Sequence, residues 1–477
     1  KKKLEYKGDV LFIEHHLAHA AAAFLISPFE KAAICTIDGV GEWTTTAYGI
    51  GNGKDIHLMK EINFPSSLGL LYSTITAYLG FSVNNSEYKV MGLSPYGNKD
   101  KNTNPYYRKL MQVIDIKEDG SYSLDMSYFI YHYADRMPSK KLCKLLDGPV
   151  RKPESELTQR HKDIAAALQW VYERVLFKML NHVCKETKSE NVVLAGGCGL
   201  NSVANGKILR NTLFKNIWLQ SDPGDGGTSI GTAAYIYHSV LGNKRNYIFK
   251  DAYLGPGFST EEIKSFLDKN KIRYSEFKDE KEIIEVAAKL IYNNNVVGWF
   301  QLGMEWGPRA LGARSILSNA CNSKMQEILN HKVKHREKFR PFAPVVCEDD
   351  ALKYFECDVP ISETTDFMLM VYPIRKEWHD KIPAVTHVDG SGRLQTIRRH
   401  QNQLYYDLIK KFGKLSGIPI LINTSFNIRG EPIVCTPYDA YKCMMGTGID
   451  CIVMGNFLIK REDNPQDIWD SEKYAKD

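Results

Sequence analysis

His15 and His19 stand four residues apart in EHHLAHAAAAF, the stretch from Glu14 to Phe24. On a helix that spacing puts both imidazoles on one face, one turn apart, where they suit two adjacent ligands of one transition metal. A histidine pair alone more often serves packing. The residue after His15 is His16 and not Glu, so the general base of an HExxH metalloprotease motif is absent. Two carboxylates strengthen the metal reading. Asp38 ends an apolar run directly before the turn GVG, and Asp225 lies in DPGDGG ahead of a helical pattern. Each has an ordinary alternative: an Asx turn for Asp38 and a helix N-cap for Asp225. A His/His/Asp/Asp set with open positions suits iron(II), and zinc less well.

A second group of candidates is cationic. Arg309 lies in GPRALG with Arg314 five residues later, Lys334 and Arg340 in VKHREKFRPF, Arg393 in DGSGR and Arg429 in NIRGEP. Arginine forks bind phosphate oxygens in pairs, and lysine acts as a point charge. These cations sit beside Gly, Pro and aromatic residues, which is unlike an ordinary solvated helix face. Pro308 predicts a helix start that places Arg309 in the first turn, where the dipole opposes a cation unless an anion also binds. After the short apolar run IPILIN, Asn423, Ser425 and Asn427 offer amides and a hydroxyl, although such residues usually just make a turn.

The elements that must position these residues follow from the hydropathy pattern. From Val10 to Ile50 the order predicted is strand (DVLFI), helix (HHLAHAAAAFL), strand (AAICTID), a turn at Gly39 and Gly41, and a second strand of a hairpin (WTTTAYGIG). Residues 98–153 are polar and turn-rich and read as an insertion. Ile164, Leu168, Val171, Val175 and Leu180 recur at helical spacing and predict a long core helix over 157–187. NVVLAGGCGLN and IWLQSDPGDGGTSIGTAAYIY each read as strand, Gly-rich loop and helix, a plan that presents backbone N–H groups to phosphates. A change of texture near Asn243 to Gly257 places a domain boundary there. Beyond it come two helices (STEEIKSFLDKN, KEIIEVAAKLIYNNN) and a buried strand (VVGWFQ).

The 477 residues exceed one ordinary core, so two domains are expected, 1–245 and 246–477. No apolar run approaches a membrane span and no signal-peptide pattern opens the chain. A net charge of +6 is mild and does not suggest a nucleic-acid platform. The ten cysteines include no CxxC pair, which argues against a zinc ribbon or disulfide framework and for a cytoplasmic setting. The even spacing of Cys435, Cys443 and Cys451 reads as chance among buried thiols.

Taken together, HHLAHAAAAF, TIDGVGEWTTTAYGIG, EYKVMGLSPYG, VLAGGCGLN, SDPGDGGTSIG, EWGPRALGARSIL, VKHREKFRPFAPVV, HVDGSGRLQT and NTSFNIRGEPIVCTP resemble the O-carbamoyltransferases of the nodulation-protein-U and cephamycin/tobramycin carbamoyltransferase type. The resemblance spans almost the whole chain. It implies an α/β protein with an actin-like ATPase domain, similar to the tRNA threonylcarbamoylation protein Kae-one, followed by a YrdC-like twisted α/β domain. It implies iron held by His15, His19, Asp38 and Asp225. It places carbamoyl phosphate and the nucleotide on Arg309, Lys334, Arg340, Arg393 and Arg429, with Mg²⁺ accompanying ATP. The nucleotide is expected against Gly196, Gly197, Asn201, Asn423, Ser425 and Asn427. The implied chemistry forms carbamoyl-adenylate from carbamoyl phosphate and ATP, then transfers the carbamoyl group to a hydroxyl of an acceptor. Partners are those substrates, with oligomerisation possible and neither nucleic acid nor membrane expected. Family members usually begin well upstream, so the first domain is expected to lack its first segment.

Rival readings are transfer to an amine or thiol, as in threonylcarbamoylation or cyanide-ligand synthesis for hydrogenase, a small-molecule kinase of the actin-like class, and an inactive metal-binding fragment. Missing acylphosphatase and zinc-finger signatures count against hydrogenase maturation. The mild charge counts against a tRNA binder, and a kinase leaves the histidine helix unexplained.

Overall fold

The fold is that of a computed structural model, which describes residues 8–334 and 339–465. The stretch 335–338 of the VKHREKFRPF motif lies outside the described residues.

The first half is built on a five-stranded sheet in the order Asp55–Asn63, Thr44–Asn52, Lys31–Gly41, Asn191–Ala195, Asn216–Trp218. The first three strands are antiparallel and the last two join Lys31–Gly41 in parallel. The interior of Lys31–Gly41, AAICTI, is buried on both faces, as expected for a central strand carrying helices above and below. The helix His15–Phe24 covers one face, and the helices Leu68–Tyr78 and Gln159–Thr187 cover the other. The run of four alanines keeps His15–Phe24 slim, so a second helix, Thr228–Ala234, crosses it closely at Gly231. A Cβ there would meet the Ala18 carbonyl oxygen at 2.1 Å. This crossing brings the loop bearing Asp225 over the two histidines.

The second half forms a nine-stranded mixed sheet ordered Met370–Pro373, Ser391–Ile397, Ala343–Cys347, Ile420–Ser425, Arg314–Asn319, Val297–Phe300, Cys451–Met454, Phe457–Lys460, Ser275–Glu276. Helices Glu280–Tyr292 and Gln403–Ser416 pack on it around Ile283, Trp299, Leu408 and Phe412. The two halves share a continuous apolar core. Hydrogen bonds cross between them: Thr364 Oγ1 accepts the Leu219 N–H at 2.9 Å, and Asn205 Nδ2 donates to the Leu369 carbonyl at 3.1 Å. Residues 243–257 contain no helix or strand. Within them the Arg245 guanidinium clasps the carbonyls of Phe24, Leu25 and Phe29 at 2.7–2.9 Å.

Three expectations need correction. Asp9–Ile13 is not a strand; it has no sheet partner, and Phe12 is 92% exposed. The hairpin turns at Glu42 and Trp43, not at Gly39 and Gly41, because the strand continues to Gly41, which pairs with Thr44. No helix begins at Pro308. The loop 305–313 is instead gathered by the buried Glu305 carboxylate, whose Oε1 accepts backbone N–H groups of Leu311 and Ala313 at 2.7 Å and of Arg314 at 3.1 Å. Gly307 and Gly312 adopt positive φ, which a helix does not accommodate. Among the described residues, no helix is long and apolar enough to cross a membrane.

Candidate active site

His15, His19, Asp38 and Asp225 converge, each offering one atom within 4.8 Å of the others. The two Nε2 atoms are 3.0 Å apart. Asp38 Oδ2 lies 3.0 Å from His15 Nε2 and 3.2 Å from His19 Nε2, and Asp225 Oδ1 lies 3.7 and 3.4 Å from them. Ligand atoms about 2.1 Å from a common centre stand about 3.0 Å apart at octahedral angles and about 3.4 Å apart at tetrahedral ones. The side chains therefore fit a metal ion between them. Two bare imidazole lone pairs at 3.0 Å would repel, and a cation or a proton between them removes that conflict.

The surroundings hold this geometry. Gly41 makes room for the His15 ring, since a Cβ there would meet His15 Cδ2 at 1.9 Å. Asp38 Oδ1 accepts the N–H groups of Gly39 at 2.8 Å and Gly197 at 3.1 Å, leaving Oδ2 for the imidazoles. Burial opposes charge on His19, but Asp225 and Asp38 outweigh it and lift its pKa to about 9. Burial also disfavours an ionised Asp38, yet the two imidazoles hold it well below the usual carboxylate range. His16 plays a different part. Its Nε2 donates to the Thr44 carbonyl at 2.9 Å and its Nδ1 accepts from Thr36 Oγ1 at 2.7 Å, which ties the helix to the sheet. Burial keeps its pKa low, so this ring is neutral.

His19 is fully buried, whereas the Asp225 side chain is 76% exposed. Its open side gives onto a cavity of about 1320 Å³ between the halves. Asp38, Gly197, Asn201 and Asp225 line one wall; Arg309, Lys334, Arg340, Arg393 and Arg429 line the other, with Asn423, Ser425 and Asn427. The His/His/Asp/Asp cluster and the cationic cluster thus address one space.

The cations are placed by distinct contacts. Lys334 Nζ donates to the Ser425 and Asn427 carbonyls at 2.5 and 3.0 Å and to Asn427 Oδ1 at 2.8 Å, fixing the NTSFN loop. Arg340 Nη2 donates to the Tyr88 hydroxyl at 2.8 Å, and Arg429 Nη2 reaches Glu154 at 2.8 Å; both contacts cross the halves. Arg309 Nε is buried without a hydrogen bond, and burial lowers its pKa from the usual arginine value. Arg314 does not reach the cavity. It is buried, donates to the carbonyls of Gln301 and Pro256, and stacks on Phe300 at 3.6 Å.

Several candidate nucleotide residues act inside the protein. Gly196, at φ 89°, passes so close to the Ile37 carbonyl that a Cβ would lie 2.1 Å from its oxygen. The Gly197 N–H is used by Asp38. Asn201 pairs with Gln169 and caps the helix Ser202–Asn205. Asn423 Nδ2 bonds to Gln395 and the Ala310 carbonyl, while its Oδ1 is buried without a partner. Sequence reasoning missed Tyr88, Glu305 and His387. Tyr88 and His387 lie inside quoted motifs, but only tertiary packing brings them to this cavity.

Comparison with known proteins identifies the family of the chain. A carbamoyltransferase N-terminus family model matches residues 1–234, and a carbamoyltransferase C-terminus model matches residues 288–461. An uncharacterised Synechocystis protein is 44% identical over 98% of this chain and 80% of its own length. Nodulation protein NolNO of Sinorhizobium fredii is 36% identical over 96% of this chain and 65% of its own. Nodulation protein NolO of Bradyrhizobium diazoefficiens is 35% identical over 96% and 80%. Among solved structures, T. kodakarensis HypF overlaps at 14% identity with a TM-score of 0.27, covering 50% of this chain and 38% of its own, which is too little to argue from. By both family models and these relatives, the chain belongs to the carbamoyltransferase family.

Proposed function

We propose that this chain is an O-carbamoyltransferase that turns carbamoyl phosphate and ATP into carbamoyl-adenylate and passes the carbamoyl group to a hydroxyl of a small-molecule or glycan acceptor. The observation that carries the reading is the single cavity with a His/His/Asp/Asp cluster on one wall and five cations on the other. Its volume exceeds the ~300–1,000 Å³ of an ordinary small-molecule site, which suits two polyanions together.

With water, carbamoyl phosphate and ATP yield carbamoyl-adenylate, pyrophosphate and phosphate. Arg309, Lys334, Arg340, Arg393 and Arg429 screen the repulsion between the polyanions and stabilise charge developing on their phosphates, with Mg²⁺ arriving on ATP. Ser425 and Asn427, pinned by Lys334, orient the nucleotide. The enclosed space keeps a hydrolysable adenylate from bulk water on its way to the opposite wall. There His15, His19, Asp38 and Asp225 would hold iron(II), which when bound supplies Lewis-acid polarisation of a carbonyl or phosphate oxygen. Asp38 keeps its ligand geometry through Gly39 and Gly197, and exposed Asp225 leaves that face open to the acceptor.

The antiparallel triplet joined to two parallel strands supports an actin-like first domain, and the large mixed sheet supports a YrdC-like second, divided near residue 245. The ten unpaired cysteines support a reducing compartment such as the cytoplasm. Pyrophosphate release that depends on carbamoyl phosphate tests the reading. ADP formation indifferent to carbamoyl phosphate would point to a kinase, and no nucleotide turnover to an inactive metal-binding fragment.

A further inference from the structure

His387 lies two residues before Asp389 in the turn that leads into the strand Ser391–Ile397, which carries Arg393. Both His387 and Arg393 line the cavity. The turn is closed by the His387 N–H donating to the Ser391 carbonyl at 2.8 Å and the Gly390 N–H donating to the His387 carbonyl at 2.9 Å. Its side chains fix the protonation of the ring. Ser391 Oγ has one proton and donates it to Asp389 Oδ1 at 2.6 Å. Toward His387 Nδ1, 3.3 Å away, the same oxygen can only accept, so Nδ1 carries the hydrogen. Burial, with Arg393 opposing the pull of Asp389, takes the ring pKa down to about 4, so the imidazole is neutral. Nε2 is then a bare lone pair, buried and without a hydrogen bond. Native structures rarely leave such an atom unmatched.

Its neighbours in the cavity sharpen what it awaits. Arg309, Lys334, Arg340, Arg393 and Arg429 offer only donors. They suit phosphate and carbonyl oxygens, but the amino group of a carbamoyl phosphate needs an acceptor. A carboxylate in that place would repel the phosphate, whereas a neutral imidazole nitrogen does not.

We propose that His387 Nε2 accepts an N–H of the carbamoyl group and so selects carbamoyl phosphate over acyl phosphates that lack it. The proposal rests on the function above and names the group that reads its donor substrate. Acetyl phosphate, with a methyl in place of the amine, leaves Nε2 unmatched, and sites built to bond a substrate N–H discriminate strongly against such analogues.

The test is calorimetric binding of carbamoyl phosphate, acetyl phosphate and inorganic phosphate to the full chain. Wild type is expected to prefer carbamoyl over acetyl phosphate by about tenfold or more. His387→Phe keeps a ring but no acceptor; its preference should fall toward unity while phosphate binding persists. His387→Gln, with a side-chain carbonyl, should recover part of it. Should the Phe variant not fold, Ser391→Ala frees the tautomer and should narrow the preference. An unchanged ratio in His387→Phe, or in Ser391→Ala where the Phe variant does not fold, overturns the inference, as does a wild type that binds both acyl phosphates equally. A wild type that binds neither carbamoyl phosphate nor inorganic phosphate overturns the functional reading itself.

Discussion

The Gly197 N–H donates to Asp38 Oδ1 at 3.1 Å, across neighbouring parallel strands, while Asp38 Oδ2 faces His15 Nε2 at 3.0 Å. One carboxylate thus joins the Gly-rich turn after Asn191–Ala195 to the histidine helix. A Cβ on Gly197 would stand 3.0 Å from Asp38 Oδ1, tighter than ordinary contact. Gly197→Ala is expected to leave the circular dichroism spectrum unchanged and to weaken iron(II) or cobalt(II) binding by about tenfold, the scale at which groups behind a ligand act. Metal titration at unchanged affinity would show that Asp38 does not depend on the turn.

Arg340 ties the two walls of the cavity through Tyr88. Arg340→Ala removes a cation from the anion wall and is expected to abolish carbamoyl-phosphate-dependent pyrophosphate release while metal content stays at the wild-type level. Tyr88→Phe removes only one hydrogen bond, worth about 1 kcal/mol, so about a fivefold loss is expected. Equal losses in the two variants would mean that Arg340 acts through domain packing and not through the substrate.

Much of this architecture was legible before the structure. The long helix declared itself by period, and Ile164, Leu168, Val171, Val175 and Leu180 are all buried. The four candidate metal ligands were legible because residue type, spacing and family resemblance agreed. Local signals failed where tertiary partners decide. Val10 to Phe12 is an apolar run with no strand to pair with. Pro308 has a helix-start signature, but Glu305 draws the following amides into a loop. Arg314 resembles its cationic neighbours in sequence, yet alternation along its strand sends it inward onto Phe300. His387 was passed over because its meaning lies in which ring nitrogen Ser391 occupies, and that is a matter of geometry.

Glu305 gives a stability prediction. It is buried, and its carboxylate accepts three backbone N–H groups on the loop that carries Arg309. Glu305→Gln keeps the shape but loses the charge that strengthens these bonds. A loss of about 2 kcal/mol in urea unfolding is expected, together with weaker phosphate binding as the loop loosens. Unfolding free energy equal to wild type would assign the loop's shape to Gly307 and Gly312 alone.

His161 predicts a pH dependence. Burial, and then the charges of Arg160 and Arg151, lower its pKa from 6.5 to about 4. Arg160 Nη2, which can only donate, meets Nε2 at 3.1 Å, so the ring keeps its one proton on Nδ1 beside Thr158 Oγ1 at 2.9 Å, and a second has no place on Nε2. Between those two values the unfolded chain binds the proton and the folded one does not. The contribution is therefore complete above about pH 6.5 and is lost as the pH falls toward 4, by about 2 kcal/mol once the roughly 3 kcal/mol implied by the shift is discounted for solvent screening. Urea unfolding at a series of pH values should show this slope in wild type and a shallower one in His161→Gln. Parallel slopes would place the acid sensitivity elsewhere.

Gly41 offers the sharpest test of the candidate metal centre, because it holds the site by what it lacks. Its backbone has no positive φ, so alanine there is conformationally acceptable, and the nearest atoms a Cβ would meet all belong to the His15 ring. A Cβ 1.9 Å from His15 Cδ2 forces that imidazole out of its rotamer and away from His19 Nε2, Asp38 and Asp225. The helix His15–Phe24 itself should persist, since its buried face runs through Ala20 to Phe24 and its anchor is His16 on Thr36 and Thr44. Gly41→Ala is thus expected to reproduce the metal loss of His15→Ala, with a melting temperature near wild type in metal-free buffer. Full metal occupancy in Gly41→Ala would mean that His15 does not bind from the position seen here. Full occupancy in both variants would remove His15 from the ligand set.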